Sequence, residues 1–178
     1  MSKKLFLMLS VLCFLFTIFA IGLAQEEKEK KEEGPVYHYI GAKKCSMCHK
    51  KDGTAPTWEK TPHADAWANV DTLKLSDEEK EPCKACHATG VTEKGDFLAN
   101  VQCEACHGPG SEYKSMKIMK SRELSIEHGL LIPDEETCLN CHNKELAPEK
   151  FHADMPEKFD YEKMKENGIH ALPEKEEK

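Results

Sequence analysis

The chain has 178 residues, 39% of them apolar, and a formal charge of −7, enough for one domain of ordinary size or two very small ones. The acidic balance argues against nucleic acid and anionic membrane surfaces as partners. Residues 1–24 hold 18 of the apolar side chains, and the other 154 residues hold only 44 besides Cys, well under the usual ~45–50% of a soluble domain. A chain this poor in core-forming side chains stays disordered or takes its interior from something other than its own residues.

In chain order, Lys3 and Lys4 precede an apolar run from Leu5 to Leu23, and Gly22-Leu23-Ala24 places small residues before a cut at Gln25. Residues 1–24 read as a secretory signal peptide, with a retained membrane anchor as the competing reading. Cys13 lies inside this run and leaves with it. Residues 25–35 are a charged spacer, residues 36–172 the folded part and residues 173–178 a Lys- and Glu-rich tail. After cleavage the chain carries 23 basic and 32 acidic residues, with no expected stable membrane insertion.

Eight Cys remain, in four Cys-x-x-Cys pairs, each followed at once by His. They are Cys45, Cys48 and His49; Cys83, Cys86 and His87; Cys103, Cys106 and His107; Cys138, Cys141 and His142. A zinc ribbon needs two Cys pairs but no adjacent His, and a disulfide scaffold gains nothing from the spacing. Covalent haem attachment uses all of it. On one helical turn the two Cys face one side and can form thioethers, while the next His points at the iron. The pattern predicts four haem c groups, with these His as proximal ligands. Each porphyrin burying about 500 Å² supplies roughly 12 kcal/mol as an upper bound, which replaces the missing core. So few residues per haem predicts haems that touch or nearly touch, a path for electrons.

Between the motifs, short helices are expected. Thr61-Pro62 starts one carrying His63, Ala64, Ala66 and Trp67, whose alanines let a flat ring approach. Ser76-Asp77-Glu78-Glu79 resembles a capping box leading to Cys83. Gly108-Pro109-Gly110 ends the third motif helix, and Ser111 caps a helix toward Arg122. Pro133-Asp134-Glu135-Glu136 starts a turn leading to Cys138, and Asp160 to Asn167 is a last helix closed by Gly168. No segment alternates convincingly as a strand. The fold class is mostly α: short helices and loops wrapped around four covalent haems, with few or no strands. Five further His, His38, His63, His128, His152 and His170, are candidate distal ligands, and bis-His iron is the default. Met47, Met116, Met119, Met155 and Met164 are alternatives that would raise the potential.

Four stretches resemble a known family, the tetrahaem cytochromes c of nitrifiers called cytochrome c five-five-four. They are Tyr39 to Lys44, Thr61 to Ala64, Cys103 to Gly110 with its Cys-Glu-Ala-Cys-His-Gly-Pro-Gly run, and Cys138 to Asn143. The resemblance implies haems stacked in pairs and an electron carrier between redox partner proteins in the periplasm or outside the cell. By position it assigns His63 to the fourth iron, opposite His142, and His170 to the third, opposite His107. The first iron, with His49, takes a His from the segment after Gly-Pro-Gly, where His128 is the first to occur. The second, with His87, is left with His38, His152 or nothing. Two alternative functions attach to that choice. An open second iron makes the chain a nitrogen-oxide reductase, and His38 ligating a neighbouring copy makes it a subunit of an extracellular filament. No Cys-x-x-Cys-Lys motif is present, which weighs against a multihaem nitrite reductase.

Overall fold

A computed structural model describes residues 35–171. The leader, nearly all of the spacer and the charged tail expected from the sequence lie outside the described residues. The helices are short. They run Ala42–His49 (α1), Thr54–Trp58 (α2), Ala66–Asp71 (α3), Asp77–Lys80 (α4), Lys84–His87 (α5), Cys103–His107 (α6), Met116–Met119 (α7), Arg122–Glu127 (α8), Glu135–Leu139 (α9) and Tyr161–Gly168 (α10). Single 3-10 segments at Pro62–Asp65, Glu81–Cys83, Lys144–Leu146 and Glu149–Asp154 join them. Helices of this length do not hold themselves in water, so caps and tertiary contacts must.

Three caps sit where the sequence placed them. Ser76 and Glu79 form a capping box, the Glu79 N–H donating to Ser76 Oγ at 3.4 Å and Ser76 N–H to Glu79 Oε2 at 2.9 Å. Asp134 caps α9, accepting from Thr137 N–H at 3.0 Å, and Asp160 caps α10, accepting from Lys163 N–H at 3.2 Å. Two others differ. Thr61 turns its hydroxyl back to the Trp58 carbonyl, 2.8 Å away, so the segment after it opens with a 3-10 turn at Pro62–Asp65 and becomes α3 only from Ala66. Ser111 accepts from His38 N–H at 3.0 Å and donates its own N–H to the His38 carbonyl at 3.1 Å. The helix expected after it is therefore two shorter ones, α7 preceded by Ser115 and α8 capped by Ser121.

One hairpin separates the second and third motifs. Strands Ala88–Val91 (β1) and Phe97–Ala99 (β2) pair antiparallel, Val91 opposite Phe97 and Gly90 opposite Leu98, with an irregularity between Ala88 and Gly90. The segment leaving β2 pins the Trp-bearing helices. Asn100 stands at φ 70, a left-handed conformation that Asn tolerates, and its Oδ1 accepts from Trp67 N–H at 2.8 Å. The Val101 carbonyl accepts from Trp58 Nε1–H at 3.1 Å, and Val101 N–H donates to the His63 carbonyl at 3.1 Å.

The chain's own core is thin. Among the described residues the buried apolar ones are Ala42, Ala55, Ala66, Val70, Ala88 and Tyr113, four of them alanine. Meanwhile Met47 is 70% exposed and Leu131 58%, and Ile132, Leu139, Leu124 and Ile126 are also open. Four alanines, a valine and a tyrosine do not fill a domain of this length. Among the described residues no helix is long and apolar enough to cross a membrane.

Candidate haem sites

Each motif is wound so that its Cys and His share one helical turn. In α1, Gly41 at φ 82 sends the chain into the helix, where a Cβ would stand 3.1 Å from Leu98 Cδ2. The second motif bridges the 3-10 turn at Glu81–Cys83 and α5. The third fills α6 and is stopped by Gly108 at φ 76. In the fourth, α9 ends at Leu139, yet His142 N–H still donates to the Cys138 carbonyl at 2.9 Å. Helical spacing is thus kept through the motif.

The structure brings two pairs of imidazoles together. His63 and His142 have ring centroids 5.9 Å apart, and His107 and His170 6.0 Å. Two imidazoles bound on opposite sides of one metal, each nitrogen about 2 Å from it, place their centroids about 6 Å apart. Among the described residues no three His, Cys, Asp or Glu side chains converge as a site for a bare metal ion. The separation suits two imidazoles that would share one iron whose other ligands come from a porphyrin.

The outer nitrogens are engaged. Nδ1–H donates to the Gly168 carbonyl from His63 at 2.6 Å, to Ala66 from His87 at 2.9 Å, to Leu131 from His107 at 3.1 Å and to Ala171 from His170 at 2.9 Å. His49 Nδ1 stands 2.7 Å from the Asp52 carboxylate. Each bond favours the Nδ1–H tautomer and leaves Nε2 with a lone pair that could bind a metal. His142 is instead stacked on Phe159, centroids 5.1 Å apart. Burial pushes His107 and His142 below the ordinary histidine value, and the facing His170 and His63 add to it. Both rings are thereby held neutral, the form that ligates iron.

The remaining candidates lie elsewhere. His152 turns Nε2 to the Ala147 carbonyl at 2.8 Å. His38 Nε2 is 3.9 Å from Glu93 Oε1 and the side chain is half-exposed. His128 follows α8, its N–H bonded to the Leu124 carbonyl at 3.0 Å. Among the described residues none of the three rings pairs with a motif histidine.

None of the eight motif Cys is paired in a disulfide. They approach one another across motifs. A hydrogen bond with the Cys103 thiol, together with burial, pushes Cys45 up, and the same bond holds Cys103 down. Burial, with Cys86 alongside, pushes Cys141 up to about 12. Burial raises Cys106, with Cys138 beside it. The first motif therefore lies against the third, and the fourth against both the second and the third.

Two residues of these sites carried no flag in the sequence. Asp52 looks like a loop acid after Lys50-Lys51 until its bond to His49 is seen. Glu104 occupies a variable position of the third motif, yet it is 1% exposed. An acid between two motif Cys was the only available signal, because two of its three backbone N–H partners are more than 60 residues away.

A mostly helical chain with four Cys-x-x-Cys-His turns and imidazoles paired about 6 Å apart is a multihaem c-type cytochrome. Residues 44–108, which span the first three motifs with one flanking residue on each side, match the family of cytochrome c554 and c-prime. Cytochrome c-554 of Nitrosomonas europaea is 32% identical over 147 residues, 63% of this chain and 61% of the relative. The chain thus spans less than two thirds of that curated relative's length. The solved reduced state of cytochrome c554 from Nitrosomonas europaea superposes with a TM-score of 0.56 at 24% identity, covering 76% of this chain and 86% of that one. That match is one of fold. The chain is thus similar in sequence around its motifs, and in fold, to c554-type cytochromes.

Proposed function

We propose that the protein is a secreted tetrahaem c-type cytochrome that passes electrons along closely spaced haems between redox partner proteins outside the cytoplasm. Cys45, Cys48, Cys83, Cys86, Cys103, Cys106, Cys138 and Cys141 hold the four haems, with His49, His87, His107 and His142 as proximal ligands. His63 lies opposite His142 and His170 opposite His107. The observation that supports this reading is the pair of centroid separations, 5.9 and 6.0 Å, each between a motif histidine and a histidine outside the motifs.

The haems supply one-electron exchange between ferric and ferrous iron. The protein's own residues do the rest. Backbone carbonyls of Gly168, Ala66 and Leu131 and the Asp52 carboxylate aim the imidazoles. The open apolar residues beside the motifs, Met47, Leu131, Ile132 and Leu139, are the surface a porphyrin covers. Contacts between the first and third motifs and between the second and fourth set the haems in pairs.

Intact-mass measurement of the mature protein, made with haem-maturation machinery, tests the reading. A mass above the polypeptide by four haems supports it, and any smaller number of covalent haems overturns it. At the second motif, His38 and His152 are both engaged away from His87, which favours a second reading: an open iron that binds a small nitrogen oxide. A high-spin component that shifts on adding nitric oxide supports that reading, and a wholly low-spin spectrum removes it. Filament formation through His38 is the remaining alternative. Electron microscopy showing only monomers across a concentration series excludes it.

A further inference from the structure

Glu104 is the one charged side chain among the described residues that is fully buried, 1% exposed. It does not meet a cation, for no Lys, Arg or His forms an ion pair with it among the described residues. Its partners are three backbone N–H groups. Ile40 donates to Oε1 at 3.0 Å and to Oε2 at 3.1 Å, Gly41 to Oε2 at 2.6 Å and Gly110 to Oε1 at 2.7 Å. Every one of these groups donates. A glutamine in the same place would turn its NH2 toward an N–H, so the nest fits the carboxylate anion and not its neutral isostere. A Cβ on Gly110 would stand 3.0 Å from Oε1, so glycine there lets the backbone close on the anion.

The position of this charge is specific. Glu104 follows Cys103 in α6, and its carboxylate acts electrostatically on both the Cys103 and the Cys45 thiols. It therefore sits between the first and third motifs. The second and fourth motifs have no buried acid among the described residues. A buried charge with no counter-ion is costly to keep, and the nearest groups that vary in charge during electron transfer are the irons. Ferric haem carries one more positive charge than ferrous haem, so an anion beside it favours the oxidised form.

We propose that Glu104 is a positioning residue for redox potential: its buried charge lowers the potentials of the haems at His49 and His107, so that electrons settle on the pair at His87 and His142. This rests on the haem assignment above. A unit charge about 10 Å from an iron, at an effective dielectric of about 20, changes the ratio of reduced to oxidised haem roughly tenfold. The same carboxylate joins the segment before the first motif to the turn after the third, and that structural role must be separated from the electrical one.

Three variants separate them, each read by spectroelectrochemical titration after intact mass has shown four haems. Glu104→Gln removes the charge, and the midpoints of two haems should rise by about 59 mV, the equivalent of a tenfold ratio for one electron. Glu104→Asp retains the charge on a shorter arm and should lose stability while its midpoints move by less than half as much. Gln102→Ala cuts an uncharged bond to the same segment, where Gln102 Oε1 accepts from Ala42 N–H at 2.7 Å, and should leave all midpoints in place. Midpoints unmoved in Glu104→Gln overturn the proposal. So does an equal rise in Glu104→Asp or in Gln102→Ala, a result that stands even if Glu104→Gln does not load haem. A haem count below four in the parent overturns the haem assignment instead.

Discussion

Replacing His63 by Ala removes one imidazole from the pair it forms with His142. The rings stand 5.9 Å apart, which leaves room for one iron with each Nε2 about 2 Å from it. If His63 is the distal ligand, its loss leaves one haem in four five-coordinate. About a quarter of the total haem should then turn high-spin, with the other three quarters unchanged. The fold should survive, because the ring's other bond, from Nδ1 to the Gly168 carbonyl at 2.6 Å, is a single tie worth about 1 kcal/mol. Electron paramagnetic resonance of the oxidised protein reads the fraction directly, and added imidazole should enter the cavity and restore the low-spin signal. His170→Ala should do the same to a second quarter, and the double variant should sum the two, because the sites have separate partners. Gly168→Ala is the control. A Cβ there meets His63 Cε1 at an ordinary 3.7 Å and the carbonyl stays, so the spectrum should not move. A His63→Ala protein with an unaltered low-spin spectrum would refute the assignment.

Other outcomes follow from the same geometry. Gly129 stands at φ +94, and a Cβ on it would be 2.9 Å from Tyr37 Cε1. Backbone strain and overpacking together should cost Gly129→Ala about 2–4 kcal/mol in melts of the haem-loaded protein, and a loss under about 0.5 kcal/mol would show that Tyr37 yields freely. Tyr113 donates its hydroxyl to the Gly108 carbonyl at 2.6 Å, and burial pushes its phenol above the usual tyrosine value. The unfolded chain loses this proton near pH 10 while the folded one keeps it, so stability should fall as pH rises beyond about 10. Tyr113→Phe should be less stable at neutral pH by about 1 kcal/mol and should flatten that alkaline decline; an equally steep decline would place its cause elsewhere. Electron transfer to a basic partner protein should slow as ionic strength rises from about 10 mM to 150 mM and the screening length falls from about 30 Å to 8 Å. A rate flat in salt would remove charge from the encounter.

What the sequence allowed depended on how local the physics is. The motifs, the Ser76 and Asp134 caps and the helix opened by Asp160 are written within five residues each, so they read directly. The hairpin was hidden because β1 and β2 have seven residues between them and an irregular register, too little for alternation to register. Thr61 and Ser111 had the right chemistry for caps but spent it on the Trp58 carbonyl and on His38, choices fixed by tertiary contacts. His63 and His170 were assigned by likeness to a family; their rings lie 5.9 and 6.0 Å from those of His142 and His107, a nearness no local pattern announces. Glu104 was legible only as a letter between two Cys. Its meaning depends on Ile40, Gly41 and Gly110 folding around it, and no spacing rule reaches that far.

The scarcity of buried apolar residues has a consequence for the life of the protein. Four alanines, a valine and a tyrosine cannot hold this chain together by themselves, so a molecule that receives three porphyrins instead of four lacks part of its interior as well as one redox centre. On the tetrahaem reading such a molecule should be cleaved by proteases faster than the complete one. The amount of finished cytochrome should then follow the supply of haem.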